Sequence, residues 1–187
     1  MAFTVVFDAC VLYPAPLRDL LVRIGMTGVV RVRWSEQILD ECFRNILTQR
    51  PDLRPDALDR TRELMRRAIP DCMVEGYEGL IDGLTLPDPD DRHVLAAAIR
   101  SGAQTVVTFN LKDFPSSVLE GYGIEALHPD DFVLDVLDLA EGAVCAAVTK
   151  QLSSLRKPPM TMAQLLETLQ AQGLVQSMAA LKSHLLR

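Results

Sequence analysis

Four acidic clusters lie at the edges of apolar segments in this 187-residue chain. Asp8 follows the run FTVVF, and Glu41 lies within SEQILDECFRNIL. The run DPDD at 88–91 precedes HVLAAAI, and Asp113 follows TVVTFNLK. Carboxylates gathered in one pocket repel one another, and a hard divalent cation is the partner that makes their clustering tolerable. The pattern therefore indicates a metal site built from carboxylates.

Two of the clusters follow predicted strands. The β-branched runs at 3–7 and 105–108 have the composition of buried strands. Asp8 follows the first run, and Asn110 and Asp113 follow the second. Because ligands bind at the carboxyl edge of an open parallel sheet, we expect polar groups delivered there by separate strands to meet. An ordinary cap or turn is the alternative interpretation for each of these acids.

The acids of the other two clusters belong to helices. Glu41 lies on the polar side of a helix predicted at 35–47, where a solvated charge is the alternative interpretation. In the DPDD run, Asp90 has the position of a helix cap. At about 100° per residue, Asp91 projects with the apolar face of the following helix, towards the sheet. Asp91 is therefore the preferred ligand of this run, and Asp88 is the secondary one.

Strands alternate with helices along residues 1–141, which predicts an α/β fold with a mostly parallel central sheet. Strands are predicted at 3–7, 29–34 (as an edge strand), 72–74, 105–108 and 124–127. Helices are predicted at 17–24, 35–47, 50–69, 93–101 and 129–139. Residues 142–187 are predicted to form a helical C-terminal extension, with a capping box at Thr161 and Gln164 and a break at Gly173. We expect 1–141 and 142–187 to be the two domains.

Composition and charge argue against several classes of protein. The net charge of −6 argues against a generic polyanion-binding surface, although residues 142–187 hold five basic residues and one acid. The four cysteines show no CxxC pair and no zinc spacing, which indicates reduced core thiols and a cytoplasmic protein. No apolar run approaches the ~18 residues that span a bilayer, and the first residues lack a basic leader region. Export and membrane insertion are therefore not expected.

These residues resemble the PIN-domain nucleases, and more narrowly the VapC-like toxins of type II toxin-antitoxin pairs. The matching stretches are VVFDACVL, SEQILDECFRNIL and LPDPDDRHVLAAAIRSGAQTVVTFNLKDFP, of which the last is the most specific. Together they organise roughly residues 3–130. The helical tail resembles the extra C-terminal segment of longer VapC-like proteins. The resemblance implies a three-layer α/β/α fold.

The resemblance also implies a function. It suggests a ribonuclease that uses Mg²⁺ or Mn²⁺, forms a homodimer and is inhibited by a cognate VapB-like antitoxin. Many family members have an acid where this chain has Asn110, so either Asp113 or the Asn110 amide completes the site. Carried over to this sequence, the catalytic and metal-binding acids are Asp8, Glu41, Asp91 and Asp113.

Basic groups outside the acidic pocket are needed to hold RNA, because the pocket itself repels a polyanion. The candidates nearest the acids are Arg44, Arg92 and Lys112. The Arg-rich helix at 50–69 is a further candidate, although a solvated face balanced by nearby acids is the stronger interpretation. The tail is expected to contact RNA or the partner. Its basic candidates are Lys150, Arg156 and Lys157.

Two other functions are compatible with the acidic pattern. A non-catalytic interaction module would keep the fold and use the acids as caps and ion pairs. A Mg²⁺-dependent phosphatase of the haloacid dehalogenase type also begins with an acid after its first strand, but it needs a second Asp where this chain has Cys10. Cys10, Tyr13 and His93 lie near the acids in sequence without forming a nucleophile pattern, so no nucleophilic side chain is predicted.

Overall fold

The computed structural model describes residues 3–156 and 158–185. Its sheet has the order β3-β2-β1-β4-β5, and every strand pair is parallel. The central strand β1 pairs on one side with β2 and on the other with β4. The predicted parallel sheet is confirmed. The strands are β1 Thr4–Phe7, β2 Arg31–Ser35, β3 Met73–Val74, β4 Thr105–Val107 and β5 Glu125–Leu127.

Helices connect the strands and form the C-terminal part. Two of them, α1 and α6, were not predicted, because a single turn is too short to show helical periodicity in a sequence. The helices are α1 Ala9–Leu12, α2 Ala15–Met26, α3 Glu36–Gln49, α4 Pro55–Ala68, α5 Arg92–Ser101, α6 Ser116–Leu119, α7 Pro129–Ser154, α8 Met162–Ala171 and α9 Val175–Leu185. Short 3-10 turns cover Glu78–Gly83, Pro89–Asp91, Leu111–Asp113 and Glu120–Tyr122.

The sheet is buried between two helical layers. On one side α5 packs across β1, β2, β3 and β4. On the other side α2 packs against α7, and Phe132 of α7 meets Phe7 of β1 edge-on, with ring centroids 5.6 Å apart. Gly25 lets α2 approach β2 closely, since a Cβ on Gly25 would lie 2.8 Å from Val32 Cγ2. The predicted three-layer α/β/α fold with a helical extension is confirmed.

The prediction that the second strand lies at an edge of the sheet was wrong. β2 pairs with β1 on one side and with β3 on the other. Trp34 of β2 is fully buried, and its backbone N–H donates to Cys72 O over 2.9 Å. β3 has only two residues, which is too short for a sequence pattern to reveal its pairing.

The C-terminal helices carry several predicted features. The long helix α7 is interrupted at Ala140 (φ −153°, ψ 65°), next to the predicted domain boundary between residues 141 and 142. The predicted capping box of α8 is present, because Thr161 Oγ1 accepts from Gln164 N and Gln164 Oε1 accepts from Thr161 N. Gly173 separates α8 from α9, as predicted. None of the described helices is both long and apolar enough to cross a membrane.

Candidate active site

The candidate site lies where the sheet changes its winding direction. After β1 the chain winds outward to β2 and β3, and it then returns across the sheet to β4 on the other side of β1. Such a switch point leaves a crevice at the carboxyl ends of the two central strands. Asp8 directly follows β1, and Thr108 directly follows β4. The predicted meeting of these two strand ends is therefore present.

Asp8 is held by three hydrogen bonds in a nearly dry environment. Its side chain is almost fully buried. Oδ1 accepts from Ala9 N at 2.6 Å, while Oδ2 accepts from Thr108 Oγ1 at 2.7 Å and Cys10 Sγ at 3.0 Å. Burial raises the pKa of Asp8, the Thr108 and Cys10 hydrogen bonds oppose that rise, and the Glu41 charge adds to it. Asp8 thus caps α1, yet a carboxylate has about four lone-pair positions, and one on Oδ1 stays available.

The loop after β4, residues 108–114 (the β4 loop), is fastened to Asp8 by two side chains. The buried Thr108 hydroxyl donates to Asp8 and accepts from Asn110 N at 2.9 Å. Cys10 Sγ accepts from Phe109 N at 3.3 Å. Burial, together with the Asp8 charge, raises the pKa of the Cys10 thiol, which therefore stays protonated and donates to Asp8. The position of this loop is thus coupled to the position of Asp8.

The ionisation of Asp91 is affected by the other predicted acids. It is half-buried at the start of α5, and its side chain makes no capping hydrogen bond. Burial raises its pKa to about 7, and the charges of Asp8, Asp88, Asp113 and Glu41 add to the rise. Each of these four charges therefore lies within range of the Asp91 carboxylate. We call the five acids the carboxylate cluster.

The cap of the DPDD run is Asp88, so the prediction of Asp90 was wrong. Asp88 Oδ1 accepts from Asp90 N at 2.9 Å and starts the 3-10 turn that precedes α5. This extra turn moves the capping position two residues towards the N-terminus. Asp90 is exposed. The carboxylate of Asp91 does not cap the helix, as expected for a metal ligand.

Glu41 has a partner that sequence reasoning missed. Its Oε2 lies 3.1 Å from His93 Nε2, and the His93 side chain is only 4% exposed. Glu41 is therefore oriented by a buried group instead of being a freely solvated charge. The available signal was a histidine inside the apolar face of α5, two residues after Asp91, but 52 residues separate it from Glu41. Glu41 thus comes from α3 and Asp91 from the start of α5, and His93 of α5 contacts Glu41.

The remaining candidates lie on the β4 loop. Asp113 is half-buried at the end of a 3-10 turn, whereas Asn110 is exposed and directly precedes that turn. The charge of Asp113 contributes to the raised pKa of Asp91. The Asn110 backbone is tied to Thr108 by its N–H and to Asp113 N by its carbonyl. Asp113 is therefore the better supported of the two candidates for the fourth ligand.

Comparison with known proteins identifies the family of this chain. A family model described as "PIN domain" matches residues 4–112, and a second, described as "VapC50 C-terminal domain", matches residues 129–183. The chain belongs to the PIN domain family. The matched PIN region contains Asp8, Glu41 and Asp91 and ends one residue before Asp113. The resemblance to VapC-like PIN proteins is confirmed by both matches.

One curated relative supports the same assignment. This PIN protein is 47% identical over 97 residues to "Putative ribonuclease VapC50" of Mycobacterium tuberculosis. The match covers 52% of this chain and 57% of the relative, so it spans little more than half of each protein. No solved structure matches the chain.

The donor chemistry of the PIN site fits a hard divalent cation. Its candidate ligands are all oxygen atoms, which Mg²⁺ and Mn²⁺ prefer. Within residues 3–156 and 158–185, however, no three His, Cys, Asp or Glu side chains stand close enough to hold a metal ion as they are. Mutual repulsion keeps uncompensated carboxylates apart. The cluster would therefore have to contract around a cation.

The basic candidates differ in how exposed and how occupied they are. Arg44 and Lys112 are exposed, and Arg92 donates Nε to Pro89 O at 2.9 Å. In the tail, Lys150 and Arg156 are exposed, and Lys157 lies outside the described residues. Arg44 lies one helical turn after Glu41, and Lys112 directly precedes Asp113. Arg44 and Lys112 are therefore the exposed candidates that lie close to predicted ligands in the sequence.

The Arg-rich helix α4 is largely occupied by ion pairs. Arg62 pairs with Glu36 and Asp40 of α3, and Arg66 pairs with Glu36. These pairs join two helices, so the arginines have a structural role. The ion-pair interpretation of this helix is supported, and its acids come partly from α3 rather than from α4 alone.

Proposed function

We propose that this PIN protein is a metal-dependent endoribonuclease that hydrolyses RNA phosphodiester bonds at a carboxylate-bound Mg²⁺ or Mn²⁺. The observation that carries the proposal is the carboxylate cluster at the switch point, where the pKa of Asp91 reaches about 7. Neighbouring carboxylates oppose one another's ionisation, and this repulsion destabilises the metal-free fold. Acids with strongly raised pKa values are concentrated at functional sites. Membership of the PIN domain family and the name of the relative support the same activity.

The proposed ligands are Asp8, Glu41, Asp91 and Asp113, with Asp88 and Asn110 as secondary candidates. When bound, the cation would polarise the scissile phosphate and activate the attacking water. The protein's part is to hold the ligands. The hydrogen bonds from Thr108 and Cys10 fix Asp8, and His93 orients Glu41.

RNA would be held by cations at the rim of the cluster. We propose Arg44, Arg92 and Lys112 for this role, since an acidic pocket alone repels a phosphate backbone. Their contribution would be sequence-independent and would weaken with rising salt. Arg92 is the least available of the three, because its Nε already donates to Pro89 O.

The activity is tested by incubating the purified protein with total RNA in Mn²⁺, in Mg²⁺ and in EDTA. We expect fragmentation with either metal and none in EDTA. The Asp8→Asn protein, purified identically, should be inactive and so excludes a contaminating nuclease. A non-catalytic interaction module would leave RNA intact in all three buffers and would show no rise in melting temperature with Mn²⁺. The phosphatase alternative would instead release phosphate from a phosphomonoester.

We further propose a VapC-like biological setting, with a VapB-like antitoxin as inhibitor, a homodimeric protein and a cytoplasmic site of action. The match of residues 129–183 to the VapC50 C-terminal domain supports the VapC type, and the four free cysteines are compatible with a reducing compartment. A small open reading frame directly upstream of the gene would identify the antitoxin. The purified pair should then show no nuclease activity, while the toxin alone cleaves.

Replacing His93 should slow cleavage without weakening RNA binding. His93→Ala removes the hydrogen bond that orients Glu41, and loss of such a supporting contact typically lowers activity or metal affinity by about 10- to 100-fold. We therefore expect a lower kcat and a weaker Mn²⁺ affinity at nearly constant KM. His93→Gln keeps a donor and should recover part of the activity. Equal losses in both variants, in proportion to their melting temperatures, would show that His93 acts only in packing.

A further inference from the structure

The C-terminal extension contacts the β4 loop at Gly173. In the turn between α8 and α9, Gly173 has φ +99°, and a Cβ built there would lie 3.1 Å from Phe109 Cε1. The same Cβ would lie 3.7 Å from His128 Cε1. The rings of Phe109 and His128 meet edge-on, with centroids 5.2 Å apart. The turn, the residue before α7 and the β4 loop therefore form a three-way contact.

Hydrogen bonds connect this contact to Asp8 of the carboxylate cluster. Phe109 lies between Thr108 and Asn110 in the chain, and its N–H donates to Cys10 Sγ. Cys10 and Thr108 both donate to Asp8 Oδ2. The Phe109 ring is thus held by the extension, while the backbone of the same residue belongs to the network that fixes Asp8.

The extension itself is firmly anchored to the rest of the protein. The Asp130 carboxylate accepts from Gln176 N at 2.8 Å, Ser177 N at 2.9 Å and Ser177 Oγ at 2.6 Å, and so caps α9. On the other side of the turn, Gln172 Oε1 accepts from Leu17 N in α2 at 3.0 Å. Because the turn is fixed on both sides, it presents a rigid surface to Phe109.

We propose that the C-terminal extension is a positioning element of the active site. Gly173 and His128 hold the Phe109 ring, and through it they set the position of the β4 loop that carries Asn110 and Asp113. This role comes in addition to any contact of the tail with RNA or a partner. Its consequence for catalysis rests on the proposed nuclease function, but the positioning itself concerns the metal-free protein.

Gly173→Ala tests the proposal. The new methyl group meets Phe109 at close range, and the positive φ disfavours any side chain at this position. We expect the backbone amide resonances of Asn110 and Asp113 to shift and their hydrogen exchange to accelerate in the metal-free protein. In the loaded enzyme kcat should fall about 10-fold with KM unchanged, because the ligands are misplaced by a fraction of an ångström. Gly123→Ala is the matched control, since Gly123 also has a positive φ (+68°) and no atom lies within 4 Å of its Cβ position.

A double mutant separates the contact from general strain in the turn. Phe109→Leu removes the ring atoms that the methyl group introduced by Gly173→Ala would meet. If the extension acts through Phe109, the amide shift changes of Asn110 and Asp113 in the double mutant should be smaller than the sum of those in the two single mutants. The reason is that contacting residues are energetically coupled. Independent effects, or unchanged Asn110 and Asp113 amides in Gly173→Ala, would overturn the proposal. Absence of RNA cleavage by the wild type would overturn the nuclease function alone, because the amide measurements do not depend on it.

Discussion

Asp8→Asn is expected to abolish RNA cleavage while leaving the metal-free fold at least as stable as the wild type. The change keeps the shape of the side chain but removes the buried charge whose pKa is raised by desolvation. The introduced amide oxygen can still accept from Ala9 N, and the Thr108 hydroxyl can turn to accept from the new amide group. Metal ligation contributes several kcal/mol to the transition state, so the cleavage rate should fall by about 10³-fold or more.

The measurement combines single-turnover cleavage in Mn²⁺ with thermal unfolding in EDTA. Asp90→Asn is the matched control, because Asp90 belongs to the same class of acidic residue but is exposed and lies outside the carboxylate cluster. It should match the wild type in both assays. Cleavage by Asp8→Asn within about tenfold of the wild type would exclude Asp8 as a ligand. A large loss of stability would instead show that the Asp8 charge stabilises the metal-free fold.

The sequence predicted the parts of the site that depend on local pattern. Asp8 could be placed because a buried strand ends directly before it, and the inward direction of Asp91 follows from helical periodicity in the next ten residues. Both expectations concern neighbours along the chain. The cap was misassigned to Asp90 because a 3-10 turn shifts the start of α5, and one such turn has no periodicity to recognise.

The remaining parts depend on contacts between distant segments. Nothing in the two local sequences shows that His93 reaches Glu41, because the pairing is decided by how α3 and α5 pack against each other. The contact of Gly173 with Phe109 has the same origin. For such contacts a sequence offers only an unusual residue type at a given position, here a histidine in an apolar face and a glycine at a helix end. The partner appears only when the fold is known.

Asp91→Asn should make the metal-free protein more resistant to unfolding at pH 8 but not near pH 4. In the folded protein the pKa of Asp91 is about 7, compared with an ordinary value of 3.8. The folded state therefore holds this proton more tightly than the unfolded chain, and the free energy of unfolding falls as the pH rises from about 4 to about 7. The amide that replaces the carboxyl group has no proton to lose, so the variant should lack this part of the decrease.

The size of the gain follows from the exposure of the side chain. One pKa unit corresponds to at most about 1.4 kcal/mol, but Asp91 is only half-buried, and solvent screening reduces the effect. We expect a gain of about 1 kcal/mol at pH 8, or about 2–4 °C in melting temperature for a protein of this size. Urea unfolding in EDTA at about pH 4 and pH 8 measures it, with Asp90→Asn as the control.

Mn²⁺ should reverse the order of stability. A cation that binds only the folded state stabilises the wild type by about 2.7 kcal/mol at a concentration roughly 100 times its Kd. Asp91→Asn loses a proposed ligand and should gain much less at the same Mn²⁺ concentration, while RNA cleavage falls by about 10³-fold. Equal pH dependence in the two proteins would show that the pKa of Asp91 is not raised in the folded protein. Equal stabilisation by Mn²⁺ would place the cation elsewhere, because a site that includes Asp91 must respond to its loss.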